Sequence, residues 1–374
     1  MPDPGTRIAT TPCMQKTTTA LETPLREQLD RLAAFEPSNS PVLSLYLDMR
    51  ASNNGREHYE SFLRKNLLDR GHALKDDALE SFEKDAERIR TYLEAERRPA
   101  TNGIAIFACT ACDFFEAVQL DVPLEEHQLF IGAVPHLYPL ARINDQYPRY
   151  AALLVNSNSA ALFVFGLGTT EKTQRVTNEK TRRSSVGGWS QARYQRHTEN
   201  VHLHHMKEVA EVLEKVIREE RINQIVVACD DSTRPMLMEQ LPKHLAEKIV
   251  DVIALDMKTP GQQVLAETLD ALRQKDAETD AEQAEAMIGA WRGRGLGVAG
   301  PEETLKALEM GQVEELLITA KPDQLLTKDG ADPQELAGIL VAKAQQNSAR
   351  IRFIEDPELL SGVGGVGALL RFKI

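Results

Sequence analysis

The sequence predicts a protein of the mixed α/β class with three domains. The chain has 374 residues, which at about 100–200 residues per domain is enough for two or three domains. Short apolar runs typical of buried strands alternate with stretches whose apolar residues return every three or four positions, as on one face of a helix. Hydrophobic residues make up 42% and charged residues 27% of the chain. These proportions are those of an ordinary globular protein, not of a fibrous or disulfide-stapled one.

The first domain is expected over residues 21–148, after a tail of residues 1–20 that is rich in Thr and Pro. Apolar periodicity and the Pro37 and Pro41 breaks divide it into helices and strands. In chain order, we expect a helix at Leu25–Phe35, a strand at Val42–Leu47, helices at Glu57–Ala73 and Asp77–Ala95, and strands at Gly103–Ala108 and Phe114–Leu120.

The second domain is expected over residues 149–275. Asn156-Ser157-Asn158-Ser159 separates two apolar runs, and because Asn and Ser tolerate tight turns the segment predicts a hairpin. Val209, Val212, Leu213, Val216 and Ile217 share one face of an amphipathic helix that ends near Arg221. The remaining elements are strands at Ile225–Ala228 and Ile249–Leu255 and a helix that starts at Ser232-Thr233. This order predicts a sheet covered by helices.

A helical, solvated linker at residues 276–285 and a third domain at 286–374 complete the predicted organisation. The linker is rich in Ala, Glu, Gln and Asp. The third domain opens with a glycine-rich segment, and Gly311 is placed to end its first helix. We then expect a strand at Leu316–Ile318, a helix at Gln334–Gln346, a strand at Ile351–Ile354, and a tight turn at Gly362–Gly367 before the last strand.

Composition and charge narrow the functional classes. The formal charge is −12, which argues against binding nucleic acid over the whole surface, because phosphates require concentrated Lys and Arg. The sequence shows no apolar run long enough for a membrane helix and no signal-peptide core, so a cytoplasmic protein with no membrane contact is expected. Its four cysteines do not make a disulfide framework, which agrees with a reducing compartment.

One segment departs from the overall acidity. Between Lys172 and Arg196 there are seven basic residues and a single acid, Glu179, a local balance of +6. A generic run of this kind is most often a solvated loop. This run also contains Gly187-Gly188-Trp189-Ser190-Gln191, in which adjacent glycines permit close approach to another molecule. On local features alone, a loop that enters a polyanionic pocket and a simple turn before a helix are equally good interpretations.

This glycine-glutamine loop resembles the Gly-Gly-Gln loop of the archaeal and eukaryotic class-1 peptide release factors. It is most similar to the bacterial branch of that superfamily, in which residues separate the glycines from the glutamine. The segments Gly297-Val298-Ala299-Gly300 and Gly364-Gly365-Val366-Gly367, with Leu316-Leu317-Ile318, resemble the third domain of those factors and of Pelota. The likeness covers the chain from about Pro148 to its end.

The resemblance implies a three-domain release-factor-like architecture. Its middle domain would be ribonuclease-H-like, and its C-terminal domain would be an α/β sandwich of the kink-turn-binding ribosomal-protein type. It further implies a ribosomal partner, namely ribosomal RNA and peptidyl-tRNA, with a translational GTPase as a second candidate partner. A monomer without a cofactor or a metal is expected.

The family's loop enters the peptidyl-transferase centre, where water cleaves the ester between peptide and tRNA. Carried over to this sequence, Gly187 and Gly188 would shape the loop and Gln191 would position the water. The resemblance also assigns residues to RNA, the cations to phosphates and the aromatic rings to bases. These RNA-binding candidates are Lys180, Arg182, Arg183, Trp189, Arg193, Tyr194 and Arg196.

Two departures from the family leave alternatives open. Trp189-Ser190 separates the glycines from Gln191, and some relatives with this spacing are thought to cut the acceptor end of tRNA. The N-terminal domain has neither the Asn-Ile-Lys-Ser nor the Tyr-x-Cys-x-x-x-Phe motif that reads stop codons. We therefore expect ribosome rescue by peptidyl-tRNA hydrolysis without decoding. The alternatives are a non-catalytic hibernation factor in the A site of idle ribosomes, and an endonuclease acting on tRNA.

Three further clusters are weaker candidates. Cys109-Thr110-Ala111-Cys112 has no second cysteine pair nearby, so a structural role is favoured over a redox or metal site. His202, His204 and His205 lack the spacing of a metal site. Cys229-Asp230-Asp231 ends a strand and is expected to be part of the scaffold.

Overall fold

The structure is a computed structural model that describes residues 25–36, 40–50, 59–71, 76–99, 101–177, 190–327 and 330–373. It is of the mixed α/β class, as the sequence predicts, and contains sheets of four, five and four strands in chain order. In the ranges just given, no helix is long and apolar enough to cross a membrane.

The N-terminal unit is an antiparallel sheet of order β3-β2-β1-β4 with helices on both faces. Because both faces are covered, nearly every residue of β1 is buried, which explains its continuous apolar run. The predicted elements are confirmed, and β4 and α4 are additional to them. The unit comprises α1 Leu25–Ala33, β1 Val42–Asp48, α2 Tyr59–Gly71, α3 Asp76–Ala95, β2 Gly103–Cys109, β3 Phe114–Leu120, β4 Gln128–Gly132 and α4 Tyr138–Gln146.

The middle unit is a five-stranded sheet of order β7-β6-β5-β8-β9. Its first three strands form an antiparallel meander, and the last two run parallel to the first. This is the ribonuclease-H-like arrangement that the resemblance implies. Its elements are β5 Tyr150–Val155, β6 Ser159–Gly166, β7 Thr169–Thr177, α5 Ser190–Glu219, β8 Ile225–Ala228, α6 Thr233–Gln240, α7 Lys243–Ala246 and β9 Ile249–Ile253.

The C-terminal unit is a mixed sheet of order β10-β13-β11-β12. Gly311, at φ +66°, follows its first short helix, and Gly364 and Gly365, at φ +80° and +82°, make the turn before the last strand. Both glycine predictions are confirmed. The elements are α8 Gly261–Arg292, β10 Gly297–Ala299, α9 Pro301–Glu309, β11 Val313–Thr319, α10 Pro333–Gln346, β12 Arg350–Ile354, α11 Glu358–Ser361 and β13 Val366–Leu370.

Helix α8 belongs to two of these units. Val264 and Leu272 pack in the core under the middle sheet, whereas Ala284 and Met287 pack in the core of the C-terminal unit. The predicted linker at 276–285 is helical, as expected, but it is not solvated on all sides, since Asp280 and Ala284 are buried. One continuous helix therefore connects the two sheets.

The N-terminal unit packs directly on the C-terminal unit. The Tyr138 hydroxyl donates to the carbonyl of Thr319 over 2.8 Å, and the Tyr138 ring meets Phe353 edge-on, with centroids 5.2 Å apart. The Gln346 amide donates to the carbonyl of Ala33 over 3.0 Å. Buried side chains from both units form one apolar cluster. The N-terminal and C-terminal sheets are therefore held together by a shared core.

A single arginine balances several carboxylates where α8 crosses β12. Arg352 contacts Asp280 and Glu315, with nitrogen-oxygen distances of 3.0 Å in each case. Burial raises the pKa of Asp276, and Arg352 only partly opposes this. Ionised Asp276 is therefore poorly compensated.

We predict that Gly338→Ala destabilises the protein although it lies within a helix. A Cβ at 338 would lie 2.2 Å from Nδ1 of His136, whose ring is buried and stacked on Phe130. Such overpacking costs about 1–3 kcal/mol, which exceeds the helix-propensity gain of up to about 1 kcal/mol. The free energy of unfolding in urea measures the effect. Gly289→Ala in α8 is the matched control, since nothing lies within 4 Å of its Cβ position, and equal gains in both variants would contradict the prediction.

We predict that Asp276→Asn stabilises the protein at pH 7.5 but not at pH 4. The pKa of Asp276 is higher in the folded protein than in the unfolded chain, where it is about 3.9. The folded protein therefore loses stability as the pH rises from the unfolded-state pKa through the folded-state pKa, because the carboxyl is then ionised within the fold. Thermal melting at both pH values measures the difference. Asp270→Asn, at an exposed position of the same helix, should leave the melting temperature nearly unchanged at both, and a pH-independent gain for Asp276→Asn would refute this explanation.

Candidate functional site

The structure places the two ends of the glycine-glutamine loop but not its interior. Strand β7 ends at Thr177 and α5 begins at Ser190. Six predicted site residues lie outside the described residues: Lys180, Arg182, Arg183, Gly187, Gly188 and Trp189. The other four lie in the first turns of α5, where only the backbone is described: Gln191, Arg193, Tyr194 and Arg196.

Helix α5 begins well before its first side chain that is described as buried. From Asn200 to His204 no side chain is buried, and burial begins at His205 and Met206. Ser190 precedes His205 by fifteen positions, which at about 1.5 Å per residue is about 22 Å along the helix axis. We call residues 190–204 the stalk. The stalk holds Gln191 and one end of the loop at this distance from the buried part of α5.

The base of the stalk is fixed by the hairpin between β5 and β6. Asn156 Oδ1 accepts hydrogen bonds from the amides of Asn158 and Ser159 over 3.0 and 2.9 Å, so the predicted hairpin is confirmed. His205 packs beneath this turn. Burial lowers its pKa, and hydrogen bonds with the backbone of Ser159 and Asn156 oppose the shift. This histidine is a neutral structural side chain at neutral pH.

The three histidines do not converge. His205 is completely buried, whereas His204 is exposed and His202 is intermediate. Among the residues described with side chains, no group of three His, Cys, Asp or Glu is placed to hold a metal ion.

An ion-pair network joins β7 to the far end of α5. Glu220 lies 2.8 Å from both Lys172 and Arg149, and Arg149 also lies 2.7 Å from Glu171. The Lys172 and Arg149 hydrogen bonds lower the pKa of Glu220. Lys172, which the sequence groups with the basic segment, is therefore neutralised within the fold. Arg175 of the same strand is exposed.

The remaining candidates have structural roles. Asp230 Oδ1 accepts from the amide of Thr233 over 2.7 Å and from the Ser232 hydroxyl over 2.9 Å, so it starts α6. The Cys109 and Cys112 sulfurs lie 2.7 Å apart. Burial raises the pKa of the Cys109 thiol to about 12, which makes this thiol a poor nucleophile at neutral pH.

Sequence reasoning included a turn before a helix at this point, but it did not predict one continuous helix from Ser190 to Glu219, and it missed the Glu220 network. Residues 190–221 contain neither Gly nor Pro, which is a signal for a helix starting at Ser190. Nothing local to Lys172 indicates its pairing with Glu220, because 48 positions separate the two residues.

Two family models match the chain. Residues 135–273 match bacterial archaeo-eukaryotic release factor family 10, and residues 286–374 match domain 3 of eRF1. The chain is 24% identical over 307 residues to the eukaryotic peptide chain release factor subunit 1 of Stylonychia lemnae, covering 67% of each chain. In an alignment of 414 positions, it is 20% identical to peptide chain release factor subunit 1 of Thermococcus onnurineus, and the alignment covers 94% of this chain and 97% of the relative.

The chain also matches solved structures, and two of these matches have TM-scores below 0.5. Dom34 of Saccharomyces cerevisiae, described as a translation termination-like factor, has a TM-score of 0.43 at 10% identity, covering 94% of each chain. A model of ribosome-bound archaeal Pelota has a TM-score of 0.42 at 16% identity, with the same coverage.

The family models, together with the ribonuclease-H-like sheet order, define a translation factor of the release-factor class. The chain belongs to the superfamily of the archaeal and eukaryotic class-1 release factors and Pelota, and its middle segment matches the bacterial family 10 of that superfamily.

We predict that Glu220→Gln lowers the free energy of unfolding by about 1–3 kcal/mol, as expected for the loss of charged hydrogen bonds. Because the pKa of Glu220 is lowered in the fold, its contribution is present at neutral pH and is lost as the pH falls through the folded value. Urea denaturation at pH 7 measures the loss. The matched control is Glu219→Gln, whose carboxylate lies 3.9 Å from Lys172 and from Lys215 and should contribute less than about 0.5 kcal/mol. Equal losses would show that the network is unimportant.

Proposed function

We propose that this protein is a cytoplasmic, ribosome-associated rescue factor that hydrolyses the peptidyl-tRNA ester on stalled ribosomes without reading a stop codon. The observation that carries the proposal is the stalk: α5 begins at Ser190, shortly after the glycines in the sequence and next to Gln191, about 22 Å along the helix axis from the buried His205. Membership of the release-factor superfamily supports it. A catalytic loop that acts inside another particle has to be presented in this way, because the body of the factor cannot enter a narrow site.

In the proposed reaction, water attacks the ester carbonyl that joins the peptide to tRNA. Gly187 and Gly188 let the loop backbone approach the ester closely. Gln191 holds the water in line with the carbonyl, and donors around it stabilise the charge that develops on oxygen. The products are a free peptide and a full-length tRNA.

The basic residues of the loop are assigned to RNA. We propose that Lys180, Arg182 and Arg183 contact phosphates before the glycines, and that Arg193 and Arg196 do so from the first turns of α5. Trp189 and Tyr194 are proposed to stack on bases. Lys172 is left out of this surface because Glu220 pairs with it.

The other partners follow from the proposal. The chain lacks both stop-codon motifs, so we propose that it acts on ribosomes with an empty A site and not at a particular codon. We propose that the protein acts as a monomer and that a translational GTPase delivers it through the C-terminal domain. One relative's structure is described as interacting with Hbs1, and another is a model of Pelota with ABCE1 on the ribosome.

The test is release of labelled peptide from purified stalled ribosome complexes, with free peptide, peptidyl-tRNA and shortened tRNA resolved on one gel. We predict that Gln191→Ala lowers the release rate about 100-fold or more, the scale expected when a group that positions a reactant is lost, while co-sedimentation with ribosomes is unchanged. Gln195→Ala, one turn further along α5, is the matched control and should retain release.

Each contrary outcome identifies an alternative. Shortened tRNA would identify an endonuclease of the acceptor end. Intact peptidyl-tRNA with ribosome binding unaffected by Gln191→Ala would identify a non-catalytic hibernation factor. Either result would overturn the proposed hydrolysis.

A further inference from the structure

A second basic surface lies at the edge of the C-terminal unit, far along the chain from the glycine-glutamine loop. Residues 291–296, which begin in the last turn of α8, and residues 371–373, after β13, are all exposed. The two segments adjoin, since the amide of Leu370 donates to the carbonyl of Leu296 over 3.0 Å and Lys373 Nζ donates to the carbonyl of Arg294 over 3.4 Å. We call this surface the basic edge. It consists of Trp291, Arg292, Arg294, Leu296, Arg371, Phe372 and Lys373.

The basic edge has no compensating acid of its own. Its two segments contain four cations and neither Asp nor Glu, in a chain whose formal charge is −12. Within the described part of the chain, none of the four cations forms an ion pair. Arg371 and Lys373 donate only to backbone carbonyls, which do not neutralise them. The positive charge is therefore available to a polyanion.

Large apolar side chains lie among these cations. Trp291 is 42% exposed, Leu296 46% and Phe372 47%. Gly293 and Gly295 alternate with the arginines, so no side chain covers the rings from these positions. The backbone of Gly297 packs closely on the end of α8, since a Cβ on Gly297 would lie 2.6 Å from the Trp291 amide nitrogen. Two aromatic rings are thus held at a solvent-exposed, positively charged surface.

We propose that the basic edge binds RNA with unpaired bases, with Trp291 and Phe372 stacking on bases and the four cations contacting phosphates. Exposed aromatic rings with arginines beside them are typical of single-stranded RNA sites, because each base offers a face for stacking and each nucleotide a phosphate. The charge favours RNA over a protein partner, whose binding surface would have to be strongly acidic. The inference does not depend on the proposed hydrolysis, since the loop is not part of this surface.

The test uses the fluorescence of Trp291 in the full-length protein. The chain has two tryptophans, so Trp189→Phe leaves Trp291 as the only one. We expect a single-stranded RNA of about 12 nucleotides, within the usual range of site sizes, to quench its emission in a saturable way. Duplex RNA with the same number of phosphates should quench weakly, because its bases are already stacked.

Variants in this background separate stacking from charge. Phe372→Ala should weaken binding about tenfold, the effect of losing one stacked base. Arg292→Ser with Arg294→Ser should lower the dependence of log Kd on log salt by about 1.4, at about 0.7 per phosphate contact. The matched controls are Leu326→Ala and Lys321→Ser, since both residues are exposed and lie near the opposite end of β13; both should bind as before.

Two results would overturn the proposal. Unchanged Trp291 emission at saturating RNA would show that no base stacks there. Stronger binding of poly-L-glutamate than of RNA, sensitive to the same arginines, would identify the basic edge as a site for an acidic protein.

Discussion

The burial of helix α8 in two cores is the interaction on which the rest of the structure depends. This helix has 32 residues, about 48 Å at 1.5 Å per residue. Its first half contributes Val264 and Leu272 to the core of the middle sheet, and its second half contributes Ala284 and Met287 to the C-terminal core. Neither half could leave its sheet without exposing apolar surface. The middle unit is therefore joined to the rest of the protein by a rigid element, and the opposite face of its sheet is left for α5.

Helix α5 connects the middle sheet to the segment that the proposal makes reactive. Its buried half is locked by His205 under the hairpin turn and by the network around Glu220. Its first half, the stalk, leads to Gln191 and the glycines. The two described cations of β7 differ in the same way, because Lys172 is paired with Glu220 at the far end of α5 while Arg175 is exposed.

Elements with strong apolar patterns could be predicted from the sequence, and elements held by distant partners could not. The runs at Val42–Leu47 and Tyr150–Val155 are buried on both faces, so composition alone identifies them. Strand β7 is not predicted by its sequence, because an edge strand of Thr, Glu, Lys and Arg has no apolar alternation and resembles a basic loop. The pairing of Lys172 with Glu220 and the fit of Gly338 against His136 depend on residues far apart in the chain. The loop itself was found by resemblance, since two glycines and a glutamine have no chemistry that local pattern reveals.

The central claim is that the loop on the stalk reaches the ester between peptide and tRNA. The most direct measurement places a photo-reactive amino acid at position 186, next to Gly187, in the full-length protein bound to stalled ribosomes, and maps the cross-linked nucleotides. The account predicts cross-links to the tRNA acceptor end and to ribosomal RNA of the peptidyl-transferase centre. Cross-links confined to the decoding centre or to the ribosome surface would contradict it.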